Sequence, residues 1–228
     1  MKFTSFIIFL LVANFCSAAR TVQFMYFHKP ADAPEKVFMF EEKKGAVEVE
    51  LPAYNFTQAY DIGPGQQTLF FLSSVPEEGK DMPKNPPKVN IPAGWQKVLV
   101  LAFRDSSNKT MPIRFTAFNA SNSEFGKGDT LFINLSPKVV YGMLGRAKVI
   151  VKPGKTLVTK NASSDGKDYN VTLWQMNPDK SENYRFLTKV FRNYTNRRKV
   201  FFVFMPEGKN QPDYYVTTIQ DPIPVAKE

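Results

Sequence analysis

The chain runs to 228 residues with a formal charge of +9, and it holds one cysteine, Cys16, and one histidine, His28. That supply excludes an intrachain disulfide, a structural zinc site built from Cys and His, and the two-histidine motif of zinc proteases. Stability must come from burial, for which 21 Phe, 9 Tyr and 2 Trp provide large apolar surfaces.

The chain opens on an export signal. Lys2 supplies a positive start, Phe3 to Phe15 form an apolar run, and Ser17, Ala18 and Ala19 offer the small side chains a signal peptidase needs. The expected cut falls between Ala19 and Arg20, with Ala18/Ala19 as second choice. An uncleaved anchor is the alternative, but the run is short for a span of about 20 residues. Lipidation at Cys16 would need small residues where Asn14 and Phe15 stand. Cleavage leaves 209 residues without cysteine, enough for one large or two small domains. No later stretch has the length of a membrane span, so no transmembrane segment is expected after cleavage.

Beyond the signal the periodicity is that of strands. Val22 to Phe27 comes first, followed by Val37 to Glu41 and, across a Lys43-Lys44-Gly45 turn, by Ala46 to Leu51. In the last of these, Val47, Val49 and Leu51 share one face and Glu48 and Glu50 the other. Gly63-Pro64-Gly65 turns into Thr68 to Leu72. A Pro-rich stretch, 75–94, then reads as a long loop. Val98 to Phe103 and Val200 to Met205 are apolar on both faces, as strands covered on both sides are. Between and beyond them lie Ile113 to Phe118, Thr130 to Leu135, Val139 to Met143, Lys148 to Val151, Lys155 to Thr159, Asn170 to Gln175, Arg185 to Phe191 and Tyr214 to Ile219. Lys152-Pro153-Gly154, Asp165-Gly166, Asn177-Pro178 and Pro206-Glu207-Gly208 are turn signals. At most a short helix is expected, after Asn177-Pro178.

Many short strands with frequent turns predict an all-β fold of two tandem antiparallel β-sandwiches, Ig-like in architecture, with one merged sandwich as the alternative. The polar stretch Arg104 to Met111 suggests the division: signal 1–19, first sandwich 20–107, second sandwich 108–228. Charge follows it. Arg20 to Lys109 holds 11 basic and 11 acidic residues, whereas Thr110 to Glu228 holds 18 basic and 10 acidic. Two stretches are basic without any acid: Lys138, Arg146, Lys148, Lys152, Lys155 and Lys160, then Arg185, Lys189, Arg192, Arg197, Arg198 and Lys199. A positive face attracts anionic polymers. A merely solubilising surface is the bland alternative. No internal sequence repeat is evident.

The second half carries Phe118-Asn119-Ala120-Ser121, Phe125-Gly126-Lys127-Gly128, Phe132-Ile133-Asn134-Leu135-Ser136-Pro137, Gly142-Met143-Leu144-Gly145 and Lys152-Pro153-Gly154. In this order and spacing, and with Pro92-Ala93-Gly94 before it, the chain resembles a family of exported bacterial proteins seen in lineages such as Verrucomicrobia. The resemblance implies an envelope or secreted location and a tandem β fold, and it implies no activity. The residues themselves suggest architecture. Asn134 and Ser136 can bond their own backbone where a strand ends. Gly145 can take a positive φ, and Pro153-Gly154 fits the centre of a type II turn.

Catalytic chemistry finds little footing. A Ser-His-Asp triad would have to use His28, which sits in no motif. No EF-hand, Walker or dinucleotide fingerprint occurs. A glycosidase pair needs only two carboxylates about 5 to 10 Å apart, but most acids lie in turns or on exposed strand faces. The expectation is therefore a non-enzymatic protein with no cofactor and no metal. Its basic face would use Lys148, Lys152, Lys155, Arg192, Arg197, Arg198 and Lys199 to hold an anionic envelope polymer, with Trp95 and Tyr194 as candidate stacking residues. Trp174, between Leu173 and Gln175, suits core packing better, while Tyr214 and Tyr215 are further aromatic candidates. Another envelope protein, met through exposed sheet edges, is the alternative partner, and a carbohydrate-active enzyme is the third reading. Nucleic acid is not expected as a partner. Asn-X-Ser/Thr sequons stand at Asn55, Asn108, Asn119, Asn134, Asn161, Asn170 and Asn193.

Overall fold

The computed structural model describes residues 19–41, 45–77, 82–121, 125–160, 167–176, 183–194, 196–205 and 214–222. The signal segment up to residue 18, the turn at 43–44, the turn signals at 165–166, 177–178 and 206–208 and the short helix expected after 177–178 lie outside them, as does the Asn161 sequon. The described residues are all-β, with strands β1 (Arg20–Tyr26), β2 (Lys36–Glu41), β3 (Ala46–Glu50), β4 (Tyr60–Ile62), β5 (Gln67–Leu72), β6 (Lys88–Ile91), β7 (Lys97–Arg104) and β8 (Ile113–Asn119), followed by β9 (Thr130–Asn134), β10 (Val140–Leu144), β11 (Ala147–Val151), β12 (Thr156–Thr159), β13 (Tyr169–Gln175), β14 (Tyr184–Phe191), β15 (Arg197–Phe204) and β16 (Tyr215–Pro222).

They form four sheets of four strands: β4-β1-β7-β8, β3-β2-β5-β6, β12-β9-β15-β16 and β11-β10-β13-β14. The sheets are not purely antiparallel as expected. β1 runs parallel to β7, and β9 parallel to β15. Val98 to Phe103 on β7 and Val200 to Phe204 on β15 are apolar on both faces in sequence, and the topology buries both faces. Val22, Phe24 and Tyr26 on β1 and Val98, Val100 and Ala102 on β7 face the second sheet, where Met39, Leu69 and Phe71 meet them. Phe132 on β9 and Phe201 and Val203 on β15 face the fourth sheet, against Leu144, Val149, Val171 and Leu173.

The opposite faces of the first and third sheets pack on each other. Met25, Phe27, Leu99, Leu101 and Phe118 from one side meet Leu131, Ile133, Val200, Phe202, Phe204 and Ile219 from the other. The Phe27 ring lies 5.2 Å from Phe202 and 5.1 Å from Phe204. The order of layers is thus second sheet, first, third, fourth, with an apolar filling in each of the three gaps.

The two halves repeat one another in connectivity, a duplication the sequence reading missed. Replacing each strand of the first half by the one eight places later converts β4-β1-β7-β8 into β12-β9-β15-β16 and β3-β2-β5-β6 into β11-β10-β13-β14. The parallel registers, Val22↔Val98 and Thr130↔Lys199, equate individual positions. The change between halves falls between Asn119 and Thr130, not at the expected 107/108, because β8 completes the first sheet by pairing with β7. The polar stretch taken for a boundary is the β7–β8 turn. Asp105 accepts hydrogen bonds from the Ser107 amide and hydroxyl, and Asn108 accepts from the Thr110 and Met111 amides. The Pro-rich loop expected over 75–94 likewise contains a strand, β6. It is an edge strand, so prolines flanking it break no ladder.

Candidate binding face on the fourth sheet

The outer face of the fourth sheet is built by alternation. On β11 the core residues Val149 and Val151 turn inward, so Lys148 and Ile150 point out. On β10, Tyr141 and Met143 alternate with Val140 and Leu144, and on β13, Thr172 and Trp174 alternate with Val171 and Leu173. Trp174 was expected in the core. It lies on this outer face because its neighbour Leu173 takes the inward position, fully buried.

Register aligns these side chains. Ile150 stands opposite Tyr141, Tyr141 opposite Trp174, and Trp174 opposite Arg185. Direct cross-strand neighbours have Cβ atoms about 4.5–5.5 Å apart, so the four form one continuous row. The next row is Lys148, Met143, Thr172 and Thr188. A bulge sets up the end of the first row. The register shifts between Leu173 and Trp174, leaving Phe186 as an extra residue of β14. Phe186 and Leu187 both pack toward the core, Phe186 stacking on Tyr214 at 4.6 Å, while Arg185 realigns with Trp174. Ile150 is 57% exposed and Val190, also on β14, 60%. The result is a continuous aromatic and aliphatic strip with a cation at its end and another beside it.

Gly142 sets the separation of β10 and β13 under this strip. A Cβ there would lie 2.7 Å from the Thr172 carbonyl oxygen and 2.4 Å from Leu173 Cδ2. The carbonyl is backbone and cannot swing aside. Gly142→Ala is expected to cost about 1–3 kcal/mol through overpacking, measured as a lower denaturant midpoint at unchanged slope.

The basic residues expected to form one face are divided. Lys148, Lys152, Lys155, Arg192 and Arg197 are exposed. Lys152 and Lys155 flank the β11–β12 turn, whereas Arg192 follows β14 and Arg197 begins β15, at the other end of the fourth sheet. Arg198 and Lys199 are not surface residues: they are 3% and 4% exposed. Consecutive strand residues point to opposite faces, and β15 is covered on both. Arg198 turns toward Phe125, its guanidinium 4.8 Å from the ring centre. Lys199 turns into the second sandwich, where its Nζ donates to Tyr169 Oη at 2.8 Å and to the Arg192 carbonyl at 2.7 Å. The rings of Tyr169 and Tyr194 lie 4.8 and 5.8 Å from that Nζ. Burial pushes the Lys199 ammonium below the usual lysine range, partly opposed by Asp168. Lys160 is committed as well, 2.9 Å from the Asp129 carboxylate.

The stacking candidates also move. Trp95 packs against the core of the first half, and its carbonyl accepts from Arg20 Nε at 2.9 Å. Tyr194 is half-buried and meets cations of its own chain, Lys199 and Arg197, the latter at 5.2 Å. Tyr214 is buried, while Tyr215 is 38% exposed. His28 is exposed at the surface, with its ring 4.5 Å from those of Phe27 and Phe204, and the partial desolvation of the imidazole against these rings lowers its pKa.

The motif residues do architectural work, as expected. Gly145 and Gly154 have φ of 58° and 64°. The Lys155 amide donates to the Lys152 carbonyl at 3.1 Å, closing the turn around Pro153-Gly154. Asn134 Oδ1 accepts from the amide and hydroxyl of Ser136, and Asn119 Oδ1 does the same for Ser121. Two sequons are therefore turn locks, and Asn134 is fully buried.

Among the described residues, no group of three or more His, Cys, Asp or Glu is arranged to hold a metal ion, and no helix is long and apolar enough to cross a membrane. No family model matches the sequence, and a search of curated proteins returns no match.

Proposed function

We propose that this is an exported, non-enzymatic binding protein that holds an anionic extracellular or envelope polymer on the outer face of its fourth sheet. The observation that carries the reading is the in-register row Ile150, Tyr141, Trp174 and Arg185, with Lys148 in the adjoining row. Flat aromatic and aliphatic side chains offer a surface on which sugar rings stack. The cations supply attraction to carboxylate, sulfate or phosphate groups along a chain. Lys152, Lys155, Arg192 and Arg197 extend the positive field toward both ends of the sheet, and a polymer is long enough to use both ends.

The test is co-sedimentation of residues 20–228 with insoluble envelope material and with soluble anionic polysaccharides across a salt series. Binding should weaken as salt rises, because exposed charges are screened beyond about 8 Å at physiological ionic strength. Trp174→Ala should reduce affinity about tenfold or more at every salt concentration, and Lys148→Glu with Arg185→Glu should remove the salt-dependent part. Retention of full, salt-sensitive binding by both variants overturns the assignment. Charge reversal at Arg198 or Lys199 is unsuitable, since it buries an unpaired carboxylate.

A second reading rests on β14. Its eight residues form an edge, with Val190 and Tyr184 exposed. A partner strand could add there. A salt-insensitive protein partner lost on Val190→Pro would favour that reading.

A further inference from the structure

A groove of about 730 Å3 lies between the two halves, far from the fourth sheet's outer face in the order of layers. It forms where the carboxyl ends of both parallel pairs converge: Phe27 and His28 after β1, Phe103 and Arg104 at the end of β7, Leu135 after β9, and Phe204 and Met205 at the end of β15. Arg114 from β8 and Tyr215 from β16 complete the mouth. The volume falls within the range of about 300–1,000 Å3 typical of small-molecule sites.

The duplication makes its chemistry informative. The registers equate Phe103 with Phe204, Arg104 with Met205 and Arg114 with Tyr215. At Phe103 and Phe204 the residue type is the same in both halves. The mouth differs: Arg104 and Arg114 line it in the first half where Met205 and Tyr215 do in the second, Arg114 on the seam face with Phe103 and Arg104 on the opposite face toward Asp32. Arg114 holds its guanidinium 4.3 Å from the Phe103 ring centre, and Arg104 reaches Asp32 at 3.4 Å, with side chains 60% and 68% exposed. Met205 and Tyr215 remain 37% and 38% exposed on the second half's side. His28, a non-glycine residue at φ 54°, sets its ring edge-on to Phe204 across the seam. Such a conformation costs of order 1–3 kcal/mol and recurs where a side chain is held for use.

We propose that this groove binds a small amphipathic anion, its carboxylate or phosphate head against Arg114, with Arg104 adding positive charge at the same end, and its apolar body along Phe27, Phe204, Met205 and Tyr215. The complementarity is direct. The two halves offer positive charge and apolar surface, and a neutral or cationic amphiphile satisfies only one of them.

The experiment is isothermal titration of residues 20–228 with dodecanoate, dodecyl phosphate, dodecanol and dodecyltrimethylammonium, each below its critical micelle concentration. Dodecanoate or dodecyl phosphate should bind at one site at least tenfold tighter than dodecanol, and the stronger of the two identifies the head group. Arg104→Gln with Arg114→Gln, both surface positions, should abolish that preference without lowering the melting temperature. Met205→Glu should weaken both anions tenfold or more. Equal binding of all four amphiphiles, no binding of either anion, or an unchanged preference in the arginine double variant overturns the proposal. Polymer binding by the fourth sheet is unaffected by these variants, so the two readings fail separately.

Discussion

Phe202→Ala is expected to lower the free energy of unfolding by about 3–5 kcal/mol and to divide one unfolding transition into two. Phe202 is fully buried in the layer between the first and third sheets, 5.2 Å from Phe27. Its removal leaves a cavity that the rigid sheets on either side cannot close. That layer is apolar, like the two sandwich cores, so the wild-type halves should unfold together. The chain carries its own reporters, Trp95 on the first half and Trp174 on the second. Trp95→Phe leaves a signal from the second half, and Trp174→Phe one from the first. In the wild-type background the two single-tryptophan proteins should melt at the same denaturant concentration. With Phe202→Ala added, their midpoints should part. Coincident midpoints in both backgrounds would show that the seam is not what couples the halves.

Asn134→Ala should cost on the order of 4 kcal/mol, more than any surface change to the basic face. The side chain donates to the carbonyls of Lys138 at 2.8 Å and Val151 at 2.9 Å while accepting from the Ser136 amide at 2.9 Å and from its hydroxyl. The Asn134 side chain itself is fully buried. Truncation strands groups of the turn after β9 and of β11 at once, and each stranded buried group costs about 1–3 kcal/mol. Asn134→Asp should not rescue, because a carboxylate turns acceptors toward two carbonyls. Equilibrium urea denaturation measures both variants. A loss below 1 kcal/mol for Asn134→Ala would mean that water replaces the lost bonds. The same burial predicts that the native protein carries no glycan at this sequon, checked by mass spectrometry of a glycosylating expression host's product.

Much of the β framework was legible in the sequence because strand alternation is local. Ala46 to Leu51 shows the buried Val49 and Leu51 directly, although Val47 stays 38% exposed, and Asn170 to Gln175 shows Val171 and Leu173 but not the outward turn of Trp174. β4 was not legible, since three residues cannot show a period. β6 was hidden by the prolines around it. The turn at Asp105 looked like a linker because short polar side chains that satisfy backbone groups locally are found in both. The duplication was invisible because topology repeats where chemistry does not: Val98 corresponds to the buried Lys199, and Val22 to Thr130. The candidate site was read only in part. Lys148 was named correctly as exposed, but a basic face that included Arg198 and Lys199 ignored alternation, which cannot send three successive strand residues to one surface. The row through Tyr141, Trp174 and Arg185 depends on long-range register and on a bulge, and neither leaves a local signal.

The parallel pairing of β1 with β7 also governs the order of events during synthesis. β1 ends at Tyr26 and its main partner begins at Lys97, so the first strand made must wait for about seventy residues before it can be held. Before that it has only short contacts, three ladder positions with β4 and hydrogen bonds to Pro52 and Thr57. Contacts so distant along the chain close slowly, on the millisecond-to-second scale typical of β-sandwiches. The second half repeats the delay, since β9 waits for β15. A ribosome paused before β7 therefore presents β1 without its main partner, and a chain ending after Ser121 would have both its sheets paired yet leave Met25, Leu99 and Leu101 uncovered. Chaperone dependence in the nascent chain, easing in two steps as β7 and then β15 emerge, is the kinetic signature of this connectivity.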